Sequence, residues 1–216
     1  MGRRALPRLS PQIDVSQTLL TFDDLPNPWS TEAAFGRQAP LEVEVGSGKG
    51  LFVTAAAGAR PDHNFLGIEI AGKYARFAAA KLVKANRNYA RMISGDALRF
   101  FRERLPDDSL AAVHVYFPDP WWKKRHRQRR VMNQAFAADI TRTLTPGGRL
   151  HFWTDVREYY ETTLELLAEH TPLEGPLTPD AEQPEHDLDY RTHRERRVRQ
   201  AGLPIYRSEF VKPSSH

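Results

Sequence analysis

The segment EVEVGSGKG, residues 42 to 50, combines an apolar run with a glycine-rich turn. Gly46, Gly48 and Gly50 predict a tight loop whose backbone can approach a ligand closely before a helix begins. The loop is not a Walker A motif, which needs Ser or Thr at the position of Gly50. It is not the dinucleotide fingerprint either, because the third glycine of that motif would stand at Leu51. The alternative is a turn that only reverses the chain.

Three acidic residues lie near the ends of the first three apolar runs, where a bound nucleoside would meet them. The pattern Glu-x-Gly-x-Gly-x-Gly that begins at Glu44 resembles the cofactor loop of Rossmann-like methyltransferases that use S-adenosyl-L-methionine (AdoMet). Glu69 stands where a carboxylate would bind a ribose diol, and Asp96 where an adenine pocket is expected, although Asp96 could instead be a helix N-cap. Glu44 lies among apolar residues, where an acid is costly unless paired, so a cationic ligand would explain it.

A second segment, FPDPWWKKRHRQRR at residues 117 to 130, places one carboxylate before two tryptophans and a basic run. The two prolines stiffen the turn that carries Asp119. Trp121 and Trp122 offer flat apolar surface on which a base can stack, and residues 123–130 can bind a phosphate backbone. The segment therefore favours a nucleic-acid substrate. The alternative is that the tryptophans belong to the core and the charges to a solvated helix face.

The composition is that of one globular domain with a polyanionic partner. The chain has 216 residues, and its 31 Lys and Arg, clustered along the sequence, exceed its 27 Asp and Glu. The absence of cysteine excludes disulfides and thiolate chemistry and fits a reducing compartment, so we expect a cytoplasmic protein. No segment is apolar enough for a signal peptide or a membrane span, so no membrane association is expected. The eight histidines show no ligand spacing, and no metal is expected.

Short apolar runs alternate with helical patterns through the middle of the chain. The predicted strands are residues 41–45, 65–70, 90–94, 111–117 and 149–154. The predicted helices are residues 50–59, 72–86, 97–105, 133–144 and 156–170. This alternation predicts an α/β fold with a mostly parallel central sheet and helices on both faces. The carboxyl ends of such strands are where ligands bind.

The two ends of the chain depart from this alternation. We expect residues 1–39 to form an N-terminal arm and irregular lead-in, and residues 40–216 to form the domain. Residues 171–187 are rich in proline and acids and predict a surface loop. A helix is predicted over 190–202, followed by a late strand over 204–212 that would add antiparallel to the sheet edge.

Taken together, these motifs resemble the bacterial tRNA (guanine-N7-)-methyltransferase family. The resemblance runs from about residue 40 to residue 211, and its most specific element is the segment from Phe117 to Arg130. It implies a Rossmann-like class I methyltransferase fold, AdoMet as cofactor, and tRNA as partner. The implied target is N7 of a guanine in the tRNA variable loop, conventionally position 46.

The resemblance also assigns roles to residues that match the family's motifs. It implies a catalytic role for Asp119 and a cofactor site made of Glu44, Gly46, Gly48, Gly50, Glu69, Asp96 and Asp119. It implies a substrate-binding set made of Lys123, Asp155, Thr192, His193, Arg194 and Glu195. Trp122 and Arg194 depart from the family pattern. Arg194 would contact a phosphate instead of packing against the protein. Asp155 could equally be a helix N-cap, and the arginines of 191–199 a solvated helix face.

Guanine N7 carries a lone pair and no proton, so its methylation needs no general base. Asp119 is therefore interpreted as an orienting group rather than a proton acceptor. Three alternatives stay open: a nicotinamide-dependent oxidoreductase, a non-catalytic RNA-binding module, and an AdoMet-dependent methyltransferase of another RNA or of a protein. A monomer and a homodimer are both compatible with the sequence.

Overall fold

The computed structural model describes residues 6–178 and 191–214. Within these residues, eight strands form one sheet in the order β1-β4-β3-β2-β5-β6-β8-β7. Their bounds are β1 Leu19–Thr21, β2 Leu41–Val45, β3 Asn64–Glu69, β4 Ala90–Ser94, β5 Leu110–Tyr116, β6 Leu144–Thr154, β7 Glu174–Leu177 and β8 Tyr206–Val211. The pairings from β1 through β6 are parallel, whereas β8 runs antiparallel to β6 and β7 antiparallel to β8.

Helices cover both faces of this sheet, as the alternation predicted. Their bounds are α1 Thr31–Phe35, α2 Leu51–Ala59, α3 Gly72–Lys84, α4 Ala97–Glu103, α5 Gln134–Thr143, α6 Arg157–His170 and α7 His193–Gln200. Two short 3-10 turns lie at Phe22–Asp24 and Lys124–Arg129. The helices α2 and α3 bury one apolar cluster against the sheet, and α4, α5 and α6 bury the other. Among the residues described, no helix is both long and apolar enough to cross a membrane.

The strand order reverses beside β2, which pairs with β3 on one side and β5 on the other. In an open parallel sheet, such a reversal leaves a crevice outside the carboxyl ends of the two strands. The glycine loop follows β2, and the turn that carries Asp119 follows β5. The fold therefore brings the two motifs of the sequence to the same crevice.

Two strands form where the sequence predicted irregular structure. In the lead-in, β1 forms and pairs with β4. The prediction of a surface loop over 171–187 is wrong where β7 forms and pairs with β8. A Cβ on Gly175 would stand 2.5 Å from the ring of Phe210, so glycine lets the β7 backbone lie against that ring. The late antiparallel strand is confirmed as β8, with β7 outside it. Residues 179–187 of the predicted loop lie outside the described residues.

Candidate active site

The glycine loop after β2 is shaped by left-handed backbone and tied to the next strand. Gly46, Gly48 and Gly50 have φ angles of 78°, 53° and 65°, which disfavour residues with a side chain. The N–H groups of Gly46 and Ser47 donate to the carbonyl oxygen of Ile68 at 2.9 and 3.0 Å. The loop therefore has a defined shape at the carboxyl end of β2.

Glu69, at the end of β3, joins this loop to the start of α3. Its Oε2 accepts from the N–H of Gly48 at 2.9 Å, and its Oε1 accepts from the N–H of Ala71 at 2.9 Å. Both carboxylate oxygens keep a further lone pair that can accept from a ligand. Glu69 is thus held at the crevice in one orientation, beside the loop that the sequence predicted it would join.

Glu44 is buried beneath the glycine loop and is only 3 % exposed. Among the described residues, its Oε2 has no hydrogen-bond partner. Burial, reinforced by the negative charge of Glu69, raises the pKa of Glu44 to about 8, against opposing effects of Ser47 and Lys81. A cationic ligand group placed next to Glu44 would stabilise its ionised form.

Asp96 is exposed and begins α4 as its N-cap. Its carboxylate accepts from the N–H of Leu98 at 2.9 Å, so the cap that the sequence left open as an alternative is present. This bond engages one oxygen, Oδ1. Binding of adenine at Asp96 stays a prediction.

We expect Gly50→Ala to disrupt the loop and the fold together. A Cβ at Gly50 would stand 2.6 Å from the Cβ of Ala78 on α3, in addition to the strain of a positive φ. The free energy of unfolding should fall by roughly 2–5 kcal/mol, measured by urea denaturation. Gly147→Ala is the matched control, because Gly147 has a φ of 77° with no atom within 4 Å of the added Cβ. Equal losses in the two variants would show that contact with α3 is unimportant.

The turn that carries Asp119 projects from the carboxyl end of β5. The N–H of Phe117 donates to the carbonyl oxygen of Trp153 at 2.7 Å, and Phe117 and Trp121 both have positive φ angles, 51° and 46°. Asp119 lies exposed between them. Trp122 is 70 % exposed, which excludes the alternative in which it packs in the core. The turn therefore presents a carboxylate and an indole ring to solvent.

The basic loop, residues 121–130, divides its charges between solvent and the protein. Arg125, Arg127 and Arg129 are exposed, and Arg127 pairs with Glu158 at 3.2 Å. Arg130 is buried and pairs with the same carboxylate at 2.6 Å. The guanidinium of Arg129 lies 5.2 Å from the ring centroid of Trp121. The prediction that the whole run contacts phosphates is therefore wrong for Arg130, whose side chain points inward.

The predicted substrate-binding set lies along β6, α7 and the basic loop. Lys123 is exposed, and Asp155 at the end of β6 forms a short ion pair with Arg194. The ion pair takes the place of the phosphate contact that was expected for Arg194. Asp155 is not the N-cap of α6, because Val156 occupies that position. Lys123, Asp155 and Arg194 lie at the same edge of the sheet as Asp119. Their contact with substrate stays a prediction.

The other three members of that set form the start of α7. Thr192 is the N-cap and accepts from the N–H of Glu195 at 3.0 Å. Glu195 is buried, and its carboxylate accepts from the side chain of Arg199 at 2.8 Å. His193 is accessible to solvent, but the protein around it partly desolvates its ring, and this desolvation together with the charge of Lys81 lowers its pKa. Thr192 and Glu195 thus stabilise α7, whereas His193 faces solvent.

A buried polar network on β2 and β5 was missed by the sequence analysis. Glu42 accepts from Arg60 at 2.9 Å and contacts His114 Nε2 at 2.7 Å. His114 Nδ1 contacts the hydroxyl of Tyr116 at 2.9 Å, and that hydroxyl accepts from Arg191 at 3.1 Å. Burial lowers the pKa of His114 to about 3, so the ring is neutral at pH 7. A histidine inside the apolar run 111–117 was the signal for this network.

Known protein sequences resemble this chain over most of its length. A family model described as "Putative methyltransferase" matches residues 38–208. The tRNA (guanine-N(7)-)-methyltransferase of Rhodopirellula baltica is 50% identical over 220 aligned residues, covering 99% of this chain and 81% of that protein. The enzyme of the same name from Myxococcus xanthus is 37% identical and covers 96% of this chain and 98% of its own.

The chain belongs to the tRNA (guanine-N(7)-)-methyltransferase family. The solved structures that resemble this methyltransferase show its fold class. A 16S rRNA (adenine(1408)-N(1))-methyltransferase from Catenulisporales acidiphilia, solved with its cosubstrate SAM, has a TM-score of 0.59 at 16% identity, covering 86% of this chain and 91% of that chain. The 16S rRNA methyltransferase KamB gives the same TM-score at 15% identity, covering 85% of this chain and 92% of that chain. The fold is that of class I AdoMet-dependent methyltransferases.

The residues of this methyltransferase fit the cofactor AdoMet. Added Cβ atoms on Gly46 and Gly48 would meet no protein atom within 4 Å, so the backbone of the loop is open to a close ligand. The fixed carboxylate of Glu69 suits a ribose diol, since each oxygen can still accept a hydrogen bond. The buried oxygen of Glu44, for which residues 6–178 and 191–214 provide no hydrogen-bond partner, suits a positively charged group.

Proposed function

We propose that this protein methylates N7 of the guanine at position 46 in the variable loop of tRNA, with AdoMet as methyl donor. The observation that carries the proposal is the meeting of two motifs at one crevice. The glycine loop with Glu44 lies at the end of β2, and the Asp119 turn lies at the end of the adjacent strand β5. A cofactor at the first and a base at the second would be neighbours. We also propose that one chain, alone or in a homodimer, carries the whole site, and that it acts in the cytoplasm, where tRNA is modified.

The proposed mechanism depends on positioning. AdoMet, when bound, supplies a methyl group on a sulfonium centre. Glu44 would balance the positive charge of the cofactor, and Glu69 would orient its ribose. Asp119 would accept hydrogen bonds from the N–H groups of the guanine edge and so hold N7 toward the methyl group. Because N7 carries no proton, no residue has to act as a general base, and holding the reactants in line can contribute about 7–11 kcal/mol.

The basic loop supplies the contacts expected for RNA. Trp122 offers an exposed indole face for stacking, and the same loop carries exposed positive charges at Lys123, Arg125, Arg127 and Arg129. This charge lies next to Asp119 in sequence and on the same edge of the sheet. An RNA backbone bound there would bring a base to the crevice.

We expect the purified protein to form 7-methylguanosine in tRNA. Labelled AdoMet is incubated with unmodified tRNA transcripts, and the modified nucleoside is identified by nuclease digestion and mass spectrometry. The matched control is the same transcript with adenine in place of the variable-loop guanine, which should accept no label. Label at another nucleoside, or in the control transcript, would assign the enzyme to a different RNA site. Absence of transfer from AdoMet that still binds would contradict the proposed substrate.

A further inference from the structure

Arg130 closes the base of the basic loop through contacts on both sides. Its Nε donates to the carbonyl oxygen of Pro120 at 2.9 Å, at the beginning of the loop. Its Nη2 and Nη1 donate to the two carboxylate oxygens of Glu158 on α6 at 2.6 and 3.2 Å. One side chain therefore joins the residue that follows Asp119, the end of the basic loop and a helix of the core.

The surroundings of Arg130 make this arrangement rigid. The guanidinium lies 4.4 Å from the ring centroid of Tyr159, and the hydroxyl of Tyr159 accepts from the N–H of Met132 at 3.1 Å. The Arg130 side chain is 9% exposed, so phosphate groups have little access to it. A planar guanidinium can satisfy a carbonyl and both oxygens of a carboxylate at once, which the single ammonium of a lysine cannot do in this geometry.

We infer that Arg130, held by Glu158, is a positioning residue that fixes the Asp119 turn relative to the RNA-binding charges. The backbone carbonyl that Arg130 holds belongs to Pro120, the direct neighbour of Asp119. Burial raises the pKa of Tyr159 to about 12, and the negative charge of Asp119 adds to this shift. Movement of the loop base would thus displace the Asp119 carboxylate. This inference rests on the proposed function.

The test compares two variants of the clamp with a phosphate-contact variant. Glu158→Gln removes one charge, and Arg130→Lys keeps the charge but loses the forked geometry. Both should lower kcat at saturating tRNA by about 10- to 100-fold, because a displacement of about 1 Å can cost 100-fold. For Arg130→Lys, the KM for tRNA and the salt dependence of tRNA binding should change little. Glu158→Gln also releases Arg127, whose guanidinium pairs with Glu158 at 3.2 Å, so the comparison of KM values rests on Arg130→Lys. Arg129→Gln, at an exposed position, should instead raise KM and reduce the salt slope by about 0.9.

The matched control is Glu161→Gln on the same helix. Glu161 pairs with Arg157 at 2.7 Å on the exposed side of α6, so its loss should leave kcat and KM unchanged. Hydrogen exchange gives a readout that does not depend on activity: residues 117–130 should exchange faster in Glu158→Gln than in Glu161→Gln. If Arg130→Lys does not fold, Glu158→Gln carries the test, because Glu158 is 42% exposed.

Two results separate the inference from the proposed function. A wild-type protein that forms no 7-methylguanosine would overturn the proposed function, while the hydrogen-exchange comparison would still test the clamp. Clamp variants with wild-type kcat, a raised KM and a reduced salt slope would overturn the inference, since they would make Arg130 a phosphate contact. A lower melting temperature with wild-type kcat at 20 °C would assign the pair to stability alone.

Discussion

Asp119→Asn should lower kcat by about 100-fold or more while AdoMet binding remains measurable, within about tenfold of wild type. The substitution preserves the size of the side chain but replaces one acceptor oxygen with an amide donor. Asparagine would present N–H groups to the N–H groups of the guanine edge, and the base would lose its orientation at the methyl group. Single-turnover kinetics with tRNA, together with calorimetry for AdoMet, measures the two effects separately.

The control for this prediction is Asp62→Asn. Asp62 lies in the turn before β3, at the opposite end of the sheet from Asp119, and its side chain is 77% exposed. Its loss removes the same charge from the protein without approaching the crevice. Turnover near the wild-type value in Asp119→Asn would exclude an orienting role for this carboxylate. An equal loss in Asp62→Asn would attribute the effect to net charge.

The central strands were predictable because parallel strands are buried on both faces. Every residue of β2 is buried, and its apolar run predicts the bounds observed for it, Leu41–Val45. The ends of β3 and β5 differ from the prediction by one residue, whereas β6 begins at Leu144, ahead of the predicted strand 149–154. The position of the site at the carboxyl ends follows from the parallel order itself. Local sequence was therefore sufficient to predict the crevice and the positions of Glu44 and Glu69 beside it, whereas the ligand contacts of these acids stay a prediction.

The short outer strands were not predictable in the same way. The three residues of β1 and the four of β7 form strands through pairing with β4 and β8, which are distant in sequence. All four residues of β7 are exposed, so the segment carries no apolar periodicity. Gly175 and Pro176 are residues typical of turns. Here tertiary pairing overrides the local preference.

The different roles of adjacent arginines could also not be predicted from the sequence. Arg129 and Arg130 are neighbours in a run of like charges, yet one is exposed and the other is buried against Glu158. The partner of Arg130 lies 28 residues further along the chain, on a helix whose position depends on the fold. Charge patterning predicted the basic surface and could not indicate which cation would point inward.

Glu42 and Glu44 show how the same residue type acquires opposite properties on one strand. Both are buried, and as residues two apart on β2 they point to the same face of the sheet. Burial alone would raise the pKa of Glu42, but the hydrogen bond from His114 and the charge of Arg60 hold it below its usual range. In the part of the chain that the structure describes, Glu44 keeps an oxygen without such a partner, and burial raises its pKa to about 8.

Glu44→Gln should therefore stabilise the free protein at alkaline pH and weaken AdoMet binding. The pKa of Glu44 is raised in the folded state, so its favourable effect on stability is complete below its unfolded pKa, near 4.5, and is lost as pH rises through about 8. At pH 9 the buried charge of Glu44 lowers the free energy of unfolding of the wild type by an amount on the order of a few kcal/mol. The glutamine variant carries no such charge and should melt several degrees higher than wild type. At pH 5 the two melting temperatures should be similar.

Cofactor affinity should change in the opposite direction, because the cation of AdoMet favours the ionised form of Glu44. We expect wild-type affinity to increase as pH rises from 6 to 8, with release of a proton on binding, which calorimetry in buffers of different ionisation enthalpy measures directly. Loss of a charged hydrogen bond of about 1.5–3 kcal/mol should make Glu44→Gln roughly 10- to 150-fold weaker and remove this pH dependence. A wild-type affinity that is independent of pH would contradict the assignment of Glu44 to the cationic part of the cofactor.

Glu42→Gln is the matched control on the same strand. This substitution should change the stability of the folded protein in the opposite direction. A carboxylate with a lowered pKa contributes stability that is present above its unfolded pKa, near 4.5, and is lost as pH falls through its folded pKa. Its replacement removes the partner of Arg60 and His114 and should lower the melting temperature at both pH 7 and pH 9. Stabilisation by Glu44→Gln and destabilisation by Glu42→Gln at pH 9 would together separate a residue kept for its ligand from one kept for the fold.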